Sequence, residues 1–197
     1  MSFLERLVTD GSNHAEWLQA RYAGITASDV AKLASRTSIE STARNKLLKG
    51  VSGGGFGNAY TQHGIEREPV IAAWVETNFG IHPSQALYHA PNNRRHLATP
   101  DGIREHNGII ELSEIKTTNK PFKGVPRNYL RQIYWQQHVL EAERTLFVWE
   151  QHSNFIPVSD HPQWMWVERN ERAIKDLVQL ADELIERLHE LADEQRR

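Results

Sequence analysis

The chain has 197 residues, 39% hydrophobic and 24% charged, enough to bury one substantial core and to organise a single domain over 1–197. Its formal net charge of −2 excludes a uniformly basic nucleic-acid binder, and the absence of cysteine excludes disulfides and any cysteine-held cluster. The first residues lack a signal-type apolar core and no apolar run approaches membrane-spanning length, so a cytoplasmic protein without membrane contact is expected.

Helical patterns cover residues 13–22, 27–35, 41–49 and 61–79. In the first of these junctions Gly24 ends one helix, and Thr26, Ser28 or Asp29 caps the next, whose apolar positions include Val30 and Leu33. Free N–H groups at that start, the Ser28 hydroxyl and the Arg21 guanidinium suit an anion such as phosphate; the plain alternative is a capped helix with a surface arginine. The glycine-rich run Ser52–Asn58 has no lysine followed by serine or threonine, so it is no nucleotide P-loop. It reads as a plain linker or as a flexible loop at the rim of a binding site, with Phe56 available for stacking. On the helix 61–79, Glu66 lies two residues before Glu68 and points away from it.

Short strands follow at 86–90, 96–105 and 109–117. Pro100-Asp101-Gly102 opens one arm of a hairpin, Arg104 to Gly108 carries turn chemistry, and the run from Ile109 forms the other arm. Strand alternation then places Glu114 and Lys116 on one face, with Ile115 and Glu111 on the other. Two carboxylates and an amine delivered to one place suit metal-assisted phosphodiester hydrolysis. Asp101 and Glu114 offer hard oxygens to Mg²⁺, the Ile115 carbonyl adds another, and Lys116 steadies the attacking water or the developing charge. Alone, such a spacing is common by chance, and Pro-Asp-Gly is also an ordinary turn.

A helix at 126–142 leads to strands at 145–150 and 155–158, and a closing helix spans 163–194. The order of helices, meander, crossover helix and strand is that of an α/β fold around a central mixed sheet. Basic residues gather at Arg44, Lys46 and Lys49, at Arg94 and Arg95, and along Lys116, Lys120, Lys123, Arg127 and Arg131. Lys120 and Lys123 follow the Glu-Ile-Lys strand directly and are candidate DNA contacts on an otherwise neutral body. The histidines show no zinc spacing, and the tryptophans read as packing except Trp17, on the helix that carries Arg21. The apolar stripe of the last helix, including Ile174, Leu177, Ala181, Leu184 and Leu191, is core or, at its end, a subunit contact.

Together these segments resemble the lambda exonuclease and YqaJ family of phage recombination nucleases, within the PD-(D/E)xK superfamily. The blocks in family order are the helix ending in Gly-Ile-Thr-Ala-Ser-Asp, Gly64 to Pro69, Pro100-Asp101-Gly102, Glu114-Ile115-Lys116, and Tyr129 to Gln136. The connection from Asp101 to Glu114 is longer than in lambda exonuclease, and Thr117-Thr118 replaces the Cys-Pro found there after the lysine. The resemblance implies a restriction-endonuclease-like core in which Asp101, Glu114 and the Ile115 carbonyl bind metal. Lys116 assists the nucleophile, and Glu68 and Gln132 complete the catalytic set. It further implies that Arg21, Ser28 and Thr26 receive a 5′ phosphate and that Tyr129 faces DNA.

The implied activity is a Mg²⁺-dependent 5′-to-3′ exonuclease on linear double-stranded DNA that leaves 3′ tails for phage-type recombination. Two ions are implied, with Mn²⁺ able to substitute, and no iron–sulfur cluster. The implied partners are a strand-annealing protein and further copies of the chain, in a ring-shaped trimer. An endonuclease with the same metal site, a non-catalytic DNA-end-binding protein and a regulatory protein on this fold are the alternatives.

Overall fold

A computed structural model describes residues 2–52 and 58–196; Phe56 and the side chain of Lys49 lie outside what is described. A 3-10 turn, Phe3–Arg6, and strand β1 (Leu7–Thr9) precede helices α1 (His14–Tyr22), α2 (Ala27–Val30), α3 (Thr37–Ser52) and α4 (Ala59–Phe79). Strands β2 (His82–Pro83), β3 (Leu87–His89), β4 (Leu97–Ala98), β5 (Gly102–His106) and β6 (Ile109–Thr118) follow. Helix α5 (Arg127–Leu140) crosses over to β7 (Arg144–Ser153), and β8 (Ile156–Pro157), β9 (Gln163–Glu168) and α6 (Glu171–Arg196) complete the chain. No helix among the described residues is long and apolar enough to cross a membrane.

The main sheet runs β2-β5-β6-β7, with β9 and β8 sharing the outer edge of β7. It is mixed: β5 and β6 are antiparallel, β6 and β7 parallel, β7 and β9 antiparallel. The β5–β6 hairpin closes on Asn107 and Gly108, both left-handed at φ 52 and 77, which matches the right-handed twist of the flanking strands. Side-chain alternation divides the core. Ile115, Leu146 and Val148 pack with Ile71 and Val75 of α4. On the opposite face Phe147 and Trp149 pack with Ile133 of α5, while Leu112 and Trp135 join Leu177, Ala181 and Leu184 of α6. Leu191, near the end of α6, is also buried, so the stripe is core to its last turns.

Several boundaries differ from expectation. The closing helix does not begin at 163: Gln163–Glu168 forms strand β9 against β7, because Trp164, Met165, Trp166 and Val167 suit a pleated edge, and α6 starts after Asn170 caps Ala173 N (3.0 Å). The helix expected over 27–35 is the single turn Ala27–Val30, and α3 starts earlier, at Thr37. The strand expected over 96–105 is split into β4 and β5, which belong to different sheets. Pro100 between them cannot donate to a ladder, and the break is what frees Asp101 to turn inward.

Candidate active site

Strand β6 is paired on both sides only as far as Ser113. Its register with β5 ends at Gly102↔Ser113, whereas that with β7 continues to Thr118↔Gln151. Residues 114–118 therefore have an open edge between α4 and α5. Asp101, just before β5, turns onto that edge, and its Oδ2 accepts from Ile115 N at 2.6 Å. N–H and C=O of one strand residue point the same way, so the Ile115 carbonyl faces the edge beside Asp101.

Glu114 and Lys116 share a face and form an ion pair at 2.5 Å. Glu114 is only 3% exposed, and Gln136 of α5 donates to its Oε2 at 2.7 Å. Lys116 Nζ lies 5.5 Å from the centre of the Tyr129 ring, and Tyr129 packs on Phe122 and Phe147. Burial alone would depress the Lys116 pKa, but Glu114 and Asp101 outweigh it and raise it, so the ammonium persists at any working pH. Asp101 is pushed up to about 8 by burial, then by Glu114 and Glu68, against the opposing pull of Lys116 and the Ile115 N–H. Glu68, on the open side of the cleft, is also raised, first by desolvation and then by Glu114. Carboxylates that resist one another's charge in this way suit a cation.

Among the described residues, no three His, Cys, Asp or Glu side chains close on one point. Two carboxylates and a backbone carbonyl, all hard oxygens, with room left for water and phosphate, fit Mg²⁺, which is bound through one or two carboxylates and keeps several waters.

A second constellation adjoins this edge. Gly24 has no side chain because a Cβ there would fall 2.7 Å from Leu97 Cδ1. The close approach lets Ile25 bond to β4 and its lead-in: Ile25 N donates to Arg95 O (2.6 Å) and Leu97 N to Ile25 O (2.8 Å). This anchor sets the α1–α2 turn, in which Arg21 Nη2 donates to Ser28 Oγ at 3.1 Å and stacks over Trp17 at 4.2 Å. Thr26 is the N-cap of α2, and its hydroxyl donates to Asp29 Oδ2 at 2.9 Å. Burial pushes the Asp29 carboxyl up, but Lys46, at 2.8 Å, and the Thr26 N–H outweigh it, so Asp29 stays ionised below its usual range. Desolvation lowers the Arg21 pKa, partly offset by Asp29. Arg21 and Trp17 line this pocket and also the neighbouring one that holds Glu68 and Asp101, so the two share a wall.

Of the residues singled out from sequence, Asp101, Glu114, Ile115, Lys116 and Glu68 gather on one edge, and Arg21, Ser28 and Thr26 on its neighbour. Tyr129 meets Lys116 as part of an aromatic wall. Gln132 lies between Tyr129 and Gln136 on the same face of α5, and its Oε1 is buried without a partner. Gln136, which touches Glu114, was not singled out, although its spacing of four from Gln132 puts both on one helix face. Lys120 and Lys123 are exposed in the loop after β6. Glu66 is exposed and bonded to Gln62 (2.9 Å), while Glu111 is held by Arg104 and Arg144 on the opposite face of β6, so neither joins the site.

The α/β fold is shared with exonucleases of known structure. An alkaline exonuclease (LHK-Exo) from Laribacter hongkongensis is 22% identical, with 93% of this chain and 96% of that one covered and a TM-score of 0.73; it has also been determined in complex with dAMP. A phage-related exonuclease from Haemophilus somnus 129PT is 12% identical, covering 87% and 96%, with a TM-score of 0.68. No curated protein matches. Residues 16–143 match the YqaJ-like viral recombinase domain, and the chain belongs to that family.

Proposed function

We propose that the chain is a Mg²⁺-dependent exonuclease that degrades linear duplex DNA from 5′ ends, leaving 3′ single-stranded tails for recombination. The observation that carries this reading is the shared wall: Arg21 belongs at once to the pocket with Ser28 and to the cleft with Asp101 and Glu68. A terminal phosphate held there places the next phosphodiester beside the carboxylates.

In this reading Asp101, Glu114 and the Ile115 carbonyl hold one or two Mg²⁺ ions, which Mn²⁺ can replace. The bound ion polarises the phosphate and supplies a water of lowered pKa. Lys116, fixed by Glu114 and Tyr129, donates to the charge that builds on the phosphate. Glu68, with its raised pKa, orients the attacking water and takes up its proton. Gln136 orients Glu114, and the unpartnered Gln132 Oε1 is a candidate acceptor for water at the site. Lys120 and Lys123 carry DNA backbone, and a single-strand annealing protein would take up the tails.

Trp164, 47% exposed, and Met165 lie on β9, the outer strand of the sheet. Such an exposed apolar strand suits contact with a further copy of the chain, and the ring of three, which the family resemblance implies, is tested by light scattering; a monomer at working concentration sinks it.

The direct assay offers Mg²⁺ and three DNAs: linear duplex with 5′ phosphates, the same duplex with 5′ hydroxyls, and a closed circle. Progressive loss from phosphorylated 5′ ends, abolished by Asp101→Ala or Glu114→Ala in folded protein, is the expected result. Cleavage of the circle would make the protein an endonuclease, and no cleavage of any DNA would leave a binding or regulatory protein.

A further inference from the structure

Two hairpins in this chain have the same two-residue turn but different chemistry. In β5–β6, His106 faces Ile109 across Asn107-Gly108; in β7–β8, Ser153 faces Ile156 across Asn154-Phe155. Both central residues are left-handed in each turn, with Asn154 at φ 50 and Phe155 at φ 66. Asn-Gly is the favoured solution there, and a bulky aromatic at positive φ is strained. Strain of this kind persists where the surroundings hold it and points to a use.

Those surroundings form a polar-rimmed aromatic cleft. Phe155 stacks on buried His152 (centroids 5.4 Å apart, planes at 18°) and meets Tyr60 at 5.2 Å, with buried His63 edge-on behind His152 at 4.5 Å. The Phe155 N–H donates to His152 Nδ1 at 3.3 Å, locking the ring pair. Despite this support, Phe155 remains 41% exposed and Tyr60 51%. The amide of Asn119 donates to the Tyr60 hydroxyl at 3.3 Å and lines the same cleft.

The cleft continues the open edge of β6. Helix α4 runs antiparallel to that strand, with Glu68 at the level of Glu114 and Lys116, Gly64 beside Thr117, and Tyr60 beside Asn119. Tyr60 precedes Glu68 by eight residues, about 12 Å at 1.5 Å per residue. At the 3.4 Å axial rise of stacked bases that is at most about three to four nucleotides, and about two if the strand is extended. Exposed lysines follow at once, with Lys120 N donating to Thr118 Oγ1 (3.1 Å) and so pinned beside the cleft. Aromatic faces, an amide and adjacent cations at nucleotide spacing match a nucleobase with its phosphate.

We propose that Phe155 and Tyr60 form a base-stacking subsite for the strand threaded into the metal site, about two to four nucleotides beyond the phosphate being cut. The inference rests on the nuclease reading for the direction of the strand. The strained turn holds the ring in place in the free protein, so stacking needs no rearrangement of the hairpin.

The test uses 5′-phosphorylated linear duplex with 2-aminopurine at single positions, with Ca²⁺ replacing Mg²⁺ to permit binding without turnover. Fluorescence quenching should peak at one position between the third and fifth nucleotide from the phosphorylated end. Phe155→Gly eases the turn, so its thermal unfolding should show whether the fold survives, while the quenching peak disappears and the duplex binds about tenfold more weakly, as expected for one lost stacking partner. Phe155→Tyr should restore both. Quenching and affinity unchanged in folded Phe155→Gly, or quenching confined to the complementary strand, would overturn the proposal. The nuclease reading is scored separately, by wild-type hydrolysis in Mg²⁺: no hydrolysis with the quenching peak intact sinks that reading and leaves the subsite, and hydrolysis with an indifferent Phe155→Gly does the reverse.

Discussion

Replacing Gln136 by leucine keeps the bulk of the side chain and removes its amide. Glu114, almost fully buried, then loses a charge-assisted hydrogen bond of 2.7 Å and keeps only the ion pair with Lys116. A hydrogen bond to a charged group contributes about 1.5–3 kcal/mol, which at 1.4 kcal/mol per decade is roughly 10–150-fold in an equilibrium constant. Loss of a partner that orients a metal ligand costs about 10–100-fold in metal affinity, so the two estimates agree. The Mg²⁺ concentration for half-maximal rate should rise by that factor, while kcat at saturating Mg²⁺ stays within a few-fold. Initial rates on 5′-phosphorylated duplex across a Mg²⁺ titration measure both, and thermal shifts with Ca²⁺ report binding without turnover. An unmoved midpoint refutes the orienting role. A lower kcat at every Mg²⁺ concentration with the midpoint unchanged would instead place Gln136 on the substrate. Gln132→Leu supplies the contrast: its Oε1 has no protein partner, so the rate should fall with the midpoint in place.

Arg21→Ala should abolish the preference for a 5′ phosphate over a 5′ hydroxyl in rates on matched duplexes, and a retained preference moves the phosphate pocket elsewhere. Asp101 is raised in the folded state, so between its unfolded value and about 8 the native protein binds more protons than the unfolded chain and stability falls as pH rises. Melting in EDTA should therefore show a decline from pH 5 to pH 8 that Asp101→Asn flattens and that Mg²⁺ opposes at pH 8; equal slopes for wild type and variant would count against the carboxylate cluster. Arg67 makes a bidentate pair with buried Glu150 at 2.8 and 2.6 Å, tying α4 to β7. Arg67→Met strands that carboxylate at a cost of about 3 kcal/mol, the low end for breaking a buried pair. At 2–4 °C per kcal/mol for a domain of this size, the melting temperature should drop by about 6–12 °C, and adding Glu150→Gln should recover most of it.

Much of the candidate metal edge is legible because it is local. Glu114 and Lys116 sit on one arm of a hairpin closed by an Asn-Gly turn, with Asp101 just ahead of the other arm, and once a hairpin is recognised its register and the two-residue period decide which strand side chains share a face. The Arg21 to Ser28 turn is legible for the same reason, since capping residues and a glycine announce it. The last helix misled at its start because Gln163–Glu168 carries both aromatic and polar residues, and only a neighbouring strand with an open edge tells the two states apart.

Turn chemistry and side-chain periodicity act over a few residues, so the α/β order, the hairpin and the charged groups on it can be read from the chain alone. Packing is what starts β5 only at Gly102 and so leaves Glu114 to Thr118 with an open edge, brings Gln136 to Glu114, and sets Arg21 between two pockets. It also brought Tyr60 to Phe155, 95 positions apart, beside Asn119. Those relations depend on how α4 and α5 pack across the sheet, and packing is set by the whole buried surface rather than by any local run of residues.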